Sequence, residues 1–234
     1  MSSSSEDKAL AGLDPVVFDH LREHGLQDMG VEASFTWWDD PRRMVFSLAR
    51  YKFVAKMLEG CDRVFEAGCA DGFASRIVSQ SVRRLVAIDI VESHILSARK
   101  SASGRWPIEF LVHDMLSGPL EGPFDGTYSL DVLEHIRPED EDIFISNMIA
   151  PLKPHGICII GMPSLESQAY ASRLSKQNHI NCKNQKVLRE HLLKYFHVVL
   201  PFSSNDEVIH TGFHAMAHYN LVVCTGKREP REHQ

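Results

Sequence analysis

The sequence has little that would place it in a membrane, in an oxidising compartment or on nucleic acid. No uninterrupted apolar run approaches the roughly 18 residues that cross a bilayer, and no basic stretch followed by an apolar one marks a secretion signal. Its five cysteines are scattered without a C-x-x-C pair, so we expect reduced thiols and no zinc site. We therefore expect a cytoplasmic protein without a membrane span.

Positive charge is also scarce. The net charge is −6 at pH 7, which argues against a broadly basic surface, so no nucleic-acid partner is expected. One basic cluster on a predicted helix could still form a local acceptor surface: Arg42, Arg43, Arg50, Lys52 and Lys56. A chain of 234 residues with 44% hydrophobic residues can bury one sizeable core, which favours one domain with additions.

The chain is organised around residues 63–73, RVFEAGCADGF. An apolar run enters a turn that contains Gly68 and Gly72, and a helical pattern follows. Glycine allows positive φ and close approach of the backbone to a ligand, while the free amides at a helix start favour polar or anionic groups. The order of strand, glycine-rich loop and helix therefore predicts a nucleotide-like ligand.

Polar residues follow three further predicted strands. The run 85–88 ends at Asp89, where a carboxylate could accept hydrogen bonds from both ribose hydroxyls. The run 110–112 is followed by His113, Asp114 and Met115, and residues 124–136, FDGTYSLDVLEHI, read as a fourth strand and turn. Acids at successive strand ends, in this order after a glycine-rich loop, indicate one ligand site.

The spacing of Glu66, Gly68, Ala70 and Gly72 resembles motif I of the class I S-adenosylmethionine-dependent methyltransferases, with Ala70 in place of the middle glycine. The resemblance covers residues 58–162, and the overall plan is similar to ubiquinone-biosynthesis-type small-molecule methyltransferases. It implies S-adenosylmethionine as cofactor and S-adenosylhomocysteine as product. The residues that it implies for cofactor binding are Glu66, Gly68, Cys69, Ala70, Gly72, Asp89, Ile90, His113, Asp114, Met115, Ser129 and Asp131.

Strands and helices alternate at intervals that predict a parallel sheet with helices on both faces. The resemblance implies an α/β Rossmann-like sheet of seven strands, mostly parallel with an antiparallel last strand, and an N-terminal helical cap. We expect a disordered leader (1–8), N-terminal helices that could form a lid (9–59), a methyltransferase domain (60–228) and a tail (229–234). Within the domain, inserts near 163–183 and 203–215 are expected to set substrate specificity.

The N-terminal part holds two helix-start signals and a pair of aromatics. Asp14-Pro15 and Asp40-Pro41 each place an N-cap acid before a proline at the first helical position. Between them, Trp37 and Trp38 could close over a substrate as part of a lid, or could simply hold a helix onto the core. The segment from 164 to 175 is predicted to be helical, and residues 138–152 are predicted to form an amphipathic helix.

Transfer to a hydroxyl needs a group that accepts its proton, and histidine suits that role near neutral pH. His135 is the first candidate because it follows the fourth strand, and His179 and His210 come next as catalytic or substrate-contacting residues. His210, His214 and His218 are four residues apart, which on a helix would form a metal-binding face. Loop and strand are predicted there, so no metal site is assigned.

Two sequence motifs that are typical of DNA methyltransferases are absent, which bears on the class of methyl acceptor. Residues 129–132 read SLDV instead of the Asn/Asp-Pro-Pro-Tyr/Phe motif of amino-directed DNA methyltransferases, and no Pro-Cys pair offers a thiol nucleophile. The resemblance favours a small hydroxylated acceptor of the sugar, quinone or secondary-metabolite type. The alternatives are a tRNA or protein methyltransferase, a nicotinamide-dependent dehydrogenase, and a non-catalytic module that binds S-adenosylmethionine. Assembly into a homodimer is left open.

Overall fold

A computed structural model of the chain describes residues 12–229. Its helices are α1 (Pro15–His24), α2 (Val31–Asp39), α3 (Pro41–Met57), α4 (Ser75–Ser79), α5 (Glu92–Lys100), α6 (Glu141–Ile149), α7 (Arg173–Asn178) and α8 (Gln185–Leu192). Its strands are β1 (Arg63–Ala67), β2 (Arg84–Asp89), β3 (Glu109–Val112), β4 (Phe124–Leu130), β5 (Leu152–Pro163), β6 (Phe196–Asn205), β7 (Val208–His210) and β8 (Tyr219–Lys227). The predicted leader, and the predicted tail beyond residue 229, lie outside the described residues.

The strands form one sheet in the order β3-β2-β1-β4-β5-β8-β6-β7. Strands β1 to β5 pair in parallel, whereas β8 is antiparallel to both β5 and β6. This confirms the Rossmann-like, mostly parallel sheet with an antiparallel C-terminal strand. The sheet has eight strands and not seven, because residues 208–210, predicted as part of a loop, pair with the end of β6 as a short edge strand.

Buried apolar side chains cover both faces of the sheet. On one face α6 and α8 pack against the strands through residues that include Phe144, Ile145, Met148, Leu188 and Leu192. On the other face α3 packs through Tyr51 and Val54, with Leu58 directly after the helix, against side chains of β1, β4 and β8. Complete burial of such a side chain contributes about 1.5–3 kcal/mol. Helix α3 is therefore part of the hydrophobic core.

Both predicted helix starts in the N-terminal part are confirmed. The Asp14 carboxylate accepts a hydrogen bond from the Val16 amide (2.9 Å), and the Asp40 carboxylate accepts one from the Arg42 amide (3.2 Å). Helix α2 lies between these two helices and contains Trp37 and Trp38, which the sequence pattern had placed in the segment ahead of α3. The tryptophans are therefore carried by a helix of their own.

Two predicted helices differ from those observed. The segment 164–175 is not one helix: a 3₁₀ turn (Glu166–Tyr170) ends before Ser172, whose side chain accepts a hydrogen bond from the Ser175 amide and starts α7. The helix predicted over 138–152 is shorter, because α6 begins at Glu141 and β5 has already started at Leu152. Among the described helices, none combines the length and apolar character that a bilayer crossing requires.

Candidate active site

The glycine-rich loop after β1 packs directly on the turn that follows β4. Gly68 has a φ of 83°, and a Cβ at this position would lie 2.2 Å from Cγ2 of Val132. Gly72 has a φ of 67°, and a Cβ there would lie 2.4 Å from the Phe110 ring. Both positions therefore need glycine for backbone conformation and for space, so the loop is held close to the ends of β3 and β4.

Asp89 is fixed at the end of β2 by two backbone amides. Its Oδ2 accepts a hydrogen bond from the Ala70 amide (2.9 Å), and its Oδ1 accepts one from the Val91 amide (2.9 Å). Ala70 adopts a positive φ of 47°, a conformation that normally favours glycine. An ionised carboxylate has about four acceptor positions, so Asp89 can receive further donors from a ligand.

Glu66 lies beneath the loop in the core. Its side chain is fully buried, and the hydroxyls of Tyr51 in α3 and Tyr128 in β4 donate to its two oxygens at 2.6 and 2.8 Å. Burial raises the pKa of the Glu66 carboxyl to about 7, against the hydrogen bonds from Tyr51 and Tyr128, which lower it. Glu66 joins α3, β1 and β4, and a direct contact with a cofactor stays a prediction.

The other predicted cofactor residues lie around the same edge of the sheet. Asp114 accepts a hydrogen bond from the Leu116 amide (2.8 Å), and a ring nitrogen of His113 lies 2.8 Å from the Gly118 carbonyl oxygen. The Ser129 hydroxyl is buried and donates to the Ala67 carbonyl (2.9 Å), so it ties β4 to β1. Cys69 and Met115 are buried, whereas Ile90 is exposed.

Asp131 follows β4 with a positive φ of 58° and contacts Arg50 of α3. Arg50 Nη1 donates to both carboxylate oxygens at 3.1 and 3.2 Å, and its guanidinium lies 3.6 Å from the centre of the Tyr219 ring. Burial lowers the pKa of Arg50, but the charge of Asp131, its hydrogen bonds with Arg50 and the nearby Tyr219 and Glu134 together outweigh burial, so the net shift is upward. This pair joins the N-terminal helices to the end of β4.

Sequence reasoning missed the role of Asp71. Its side chain is buried, and Oδ2 accepts a hydrogen bond from the Ala33 amide (2.8 Å) in the first turn of α2. Gly30, the N-cap residue of α2, has no side chain to do this, so Asp71 caps the helix from the glycine-rich loop. The sequence signal was the position of Asp71 between Gly68 and Gly72, and this position does not indicate which residue the side chain contacts.

A second link between α2 and the loop region runs through His94. Its Nδ1 lies 3.4 Å from Asp89 Oδ1, and its Nε2 lies 3.2 Å from Glu32 Oε1 in α2. A cavity of about 140 Å³ lies between α2, α3 and the glycine-rich loop, lined by residues that include Met44, Tyr51, Cys69 and Ala70. Helix α2 therefore covers the loop.

Two of the three predicted histidines come together. The rings of His135 and His179 have centroids 5.2 Å apart, in the turn after β4 and in the loop after α7. The backbone carbonyl of Glu134 accepts hydrogen bonds from the amides of Ile180 (2.8 Å) and Asn181 (3.0 Å), which holds the His179 loop against the turn. The sequence had singled out His135 but not its neighbour Glu134.

The structure does not bring the remaining substrate candidates to this pair. His210 lies in the edge strand β7, with Nε2 2.8 Å from Asn205 Oδ1. Trp37 and Trp38 are 58% and 79% exposed on α2. Their roles as substrate contacts stay predictions.

The basic cluster noted in the sequence is largely neutralised. Arg43 and Lys56 pair with Asp39 and Glu59, and the ion pair of Arg50 has been described above. Arg42 Nε lies 2.9 Å from Asp40 Oδ1. Four of the five basic side chains are thus paired with acids, which removes most of the positive charge of the cluster.

Comparison with known proteins places this site in a family context. Residues 64–156 match a family described as "Methyltransferase domain". A protein of Mycolicibacterium smegmatis, described as a probable S-adenosylmethionine-dependent methyltransferase, is 28% identical over 116 residues, which are 49% of this chain and 42% of the relative. The match thus spans less than half the length of this curated relative.

Solved structures share the fold. The N-methyltransferase NodS of Bradyrhizobium japonicum WM9, in complex with S-adenosylhomocysteine, superimposes with a TM-score of 0.58 at 19% identity, over 80% of this chain and 89% of that one. A DhpI complex with S-adenosylhomocysteine gives 0.61 at 16% identity, over 90% and 93%. The methyltransferase domain of bacterial CtHen1 gives 0.63 at 16%, over 77% and 98%. At these identities the likeness establishes the fold.

Proposed function

Because residues 64–156 form a methyltransferase domain of the class I S-adenosylmethionine-dependent type, we propose that this protein transfers a methyl group to a hydroxyl group of a small molecule. When bound, S-adenosylmethionine supplies an electrophilic methyl group. An acceptor hydroxyl that loses its proton forms the new carbon–oxygen bond as the carbon–sulfur bond breaks, and S-adenosylhomocysteine leaves. The chain must then hold the cofactor, align the acceptor oxygen and receive the proton.

The residues of the glycine-rich loop fit the cofactor. Gly68 and Gly72 pack directly on Val132 and Phe110 with positive φ, which fixes a turn of the kind that presents backbone amides to a ligand. Asp89 stands at the end of β2 with acceptor capacity left after its two amide contacts, as ribose hydroxyls require. We propose that this loop, Asp89 and Asp114 hold the nucleoside part of the cofactor.

One observation carries the choice of a hydroxyl acceptor: His135 and His179 meet beside the buried carboxyl of Glu134, directly after β4. His135 Nδ1 lies 3.0 Å from the Asn178 carbonyl oxygen, and His179 Nδ1 lies 3.0 Å from Gln168 Oε1. When Nδ1 carries the hydrogen, Nε2 of each neutral ring is a free acceptor. Burial and the neighbouring His135 lower the pKa of His179, which keeps its ring neutral near pH 7.

We propose that the two insert regions shape the acceptor pocket. Residues 163–183 supply His179. Residues 203–215 are linked to them through His218, whose carbonyl accepts from the Ser164 amide (2.9 Å) and whose amide donates to the Ser204 carbonyl (3.1 Å). Apolar side chains on both segments are strongly exposed, Tyr170 at 92% and Phe213 at 71%. Exposed aromatics of this kind suit an acceptor with an apolar or ring-shaped body.

The test is transfer of label from methyl-labelled S-adenosylmethionine into a cell extract that is then separated into small-molecule, RNA and protein fractions. We expect label in small molecules with the wild-type protein and with Asp19→Asn, a change on exposed α1, and none with Asp89→Asn. Label in RNA or protein would overturn the acceptor class. Binding of S-adenosylhomocysteine without labelling of any fraction would favour a module that binds but does not transfer.

A further inference from the structure

The carboxyl group of Glu134 is buried without a full set of partners. Its side chain is 1% exposed, and Oε2 has no hydrogen-bond partner in the part of the chain that the structure describes. A buried polar atom left in this way is costly and is uncommon in proteins. The neighbouring cation, Arg50, is paired with Asp131. The position favours a cation.

Two imidazole nitrogens are presented beside this carboxyl group. In both His135 and His179 the Nδ1 atom is held by an oxygen acceptor, which leaves Nε2 with its lone pair. Metal-binding histidines in proteins are commonly fixed in this manner, with the other ring nitrogen donating to a carbonyl or carboxyl oxygen. Glu134, His135 and His179 each offer a ligand atom, and the three atoms lie within 4.8 Å of one another.

The two segments that carry these residues are already held together. The Glu134 carbonyl binds the amides of Ile180 and Asn181, immediately after His179. Ligand atoms that are each about 2.0–2.2 Å from one ion lie roughly 3–3.5 Å from each other. Side-chain rotations that move each ligand atom by about 1 Å would therefore bring the three atoms to coordinating distance. The backbone that supports the three side chains need not move.

We propose that Glu134, His135 and His179 bind a divalent first-row transition-metal ion such as Mn²⁺, Fe²⁺, Co²⁺ or Zn²⁺. Two imidazoles and one carboxylate suit these ions better than Mg²⁺ or Ca²⁺, which take oxygen ligands. Three protein ligands leave positions open for another molecule, as in catalytic metal sites. The sequence argument against a metal considered the scattered cysteines and the set His210, His214 and His218, and a sequence does not show that His179 meets Glu134.

The role of this ion rests on the proposed function. An acceptor hydroxyl bound at an open position would lose its proton more readily, because a bound cation stabilises the oxygen anion. The proton passes to solvent water, and the oxygen keeps the electron pair that attacks the methyl carbon. With the ion bound, His135 and His179 act as its ligands, and the ion takes over from them the task of activating the acceptor hydroxyl.

The site can be tested without cofactor or acceptor. The 234-residue chain without an affinity tag is treated with a chelator, dialysed and titrated with Co²⁺ while the visible absorption of the bound ion is recorded. We expect saturation at one ion per chain, displacement by Zn²⁺ but not by Mg²⁺, and a loss of affinity of tenfold or more in Glu134→Gln, His135→Gln and His179→Gln. The matched control is the double variant His20→Gln, His24→Gln, which removes an exposed pair of rings 4.9 Å apart on α1 and should keep the signal.

Calorimetry with S-adenosylhomocysteine shows whether each variant retains its cofactor site, and the exposed His135 provides a variant that does not disturb the core. No saturable binding by the wild-type protein, undiminished binding in all three site variants, or loss of binding only in the α1 variant would overturn the metal site. Since no methyl transfer is measured, failure of the metal site leaves the proposed function standing. Failure of labelling leaves the metal site standing.

Discussion

Arg50 of α3 donates two hydrogen bonds from Nη1 to the carboxylate of Asp131 at the end of β4, at 3.1 and 3.2 Å. The Arg50 side chain is 18% exposed and the Asp131 side chain 40%, and the guanidinium also covers the Tyr219 ring. The sequence analysis treated the basic cluster and the end of the fourth strand as separate features. Arg50 and Asp131 join them by direct hydrogen bonds. It couples the N-terminal helices to the turn that carries Glu134 and His135.

Arg50→Met should destabilise the protein by about 1–3 kcal/mol, because it leaves Asp131 without its cation close to the buried Glu134. Urea unfolding measures this free energy. Arg42→Met is the matched control on the same helix: Arg42 is 81% exposed, so its loss should cost less than about 0.5 kcal/mol. An equal loss of unfolding free energy in the two variants would show that the Arg50–Asp131 contact stabilises the protein no more than an exposed ion pair does.

The buried Glu66 should make stability depend on pH. Its carboxyl has an ordinary pKa of 4.5 and a pKa of about 7 in the folded chain, so the native state binds this proton more tightly than the unfolded state does. Its contribution is greatest below pH 4.5 and is lost as the pH rises to 7, a decrease on the order of 3 kcal/mol.

Urea unfolding of wild-type and Glu66→Gln protein across this pH range measures the effect. We expect a shallower fall in unfolding free energy for the variant, while Glu59→Gln, at an exposed acid, should follow the wild-type curve. Parallel curves for wild type and Glu66→Gln would mean that the Glu66 pKa is not raised by folding.

Ala70→Gly should stabilise the chain by about 0.5–1 kcal/mol. The φ of Ala70 is 47°, and removing its Cβ relieves left-handed strain that exceeds the extra entropy of glycine in the unfolded chain. Thermal and urea unfolding measure the change. Ala74→Gly, at a residue with a φ of −77°, is the control and should destabilise by a similar amount. Destabilisation by both would argue that Ala70 is not strained.

Gly68→Ala should be more harmful than Gly60→Ala by about 1–3 kcal/mol. Both glycines have similar φ values, 83° and 86°, but only the Cβ at position 68 would collide, with Val132. The free-energy cost of placing alanine at positive φ is similar at the two positions. The difference between the two unfolding free energies therefore measures the cost of the steric clash with Val132. We also expect weaker binding of S-adenosylhomocysteine by Gly68→Ala alone, and similar binding by both variants would speak against the loop as the cofactor site.

Asp71→Ala should loosen α2 without unfolding the domain. The variant loses the cap on the Ala33 amide, a contribution of about 0.5–2 kcal/mol to the helix. Hydrogen exchange should therefore quicken in residues 31–39 and stay unchanged in residues 41–57. Unchanged exchange in α2 would show that the loop does not hold this helix.

The sequence was sufficient for the parts that depend on local pattern. Periodicity and N-cap acids located α1, α3 and most strands. Glycine spacing located the loop, because glycine is the residue that most readily adopts positive φ. The partners of side chains were beyond it. Three contacts join segments that are distant in the chain: Asp71 with Ala33, Arg50 with Asp131, and Glu134 with His179. Local patterns in a single sequence do not show which polar residues meet. Residues 208–210 became a strand through pairing with β6, which local propensity does not predict.

The most direct measurement of the central claim is calorimetric titration of the full chain with S-adenosylhomocysteine and with NADH, for wild-type and Asp89→Ala protein. We predict saturable binding of S-adenosylhomocysteine by the wild type, its loss in Asp89→Ala, and no binding of NADH. Tight binding of NADH with none for S-adenosylhomocysteine would contradict the account, since the loop and Asp89 would then serve a dehydrogenase cofactor.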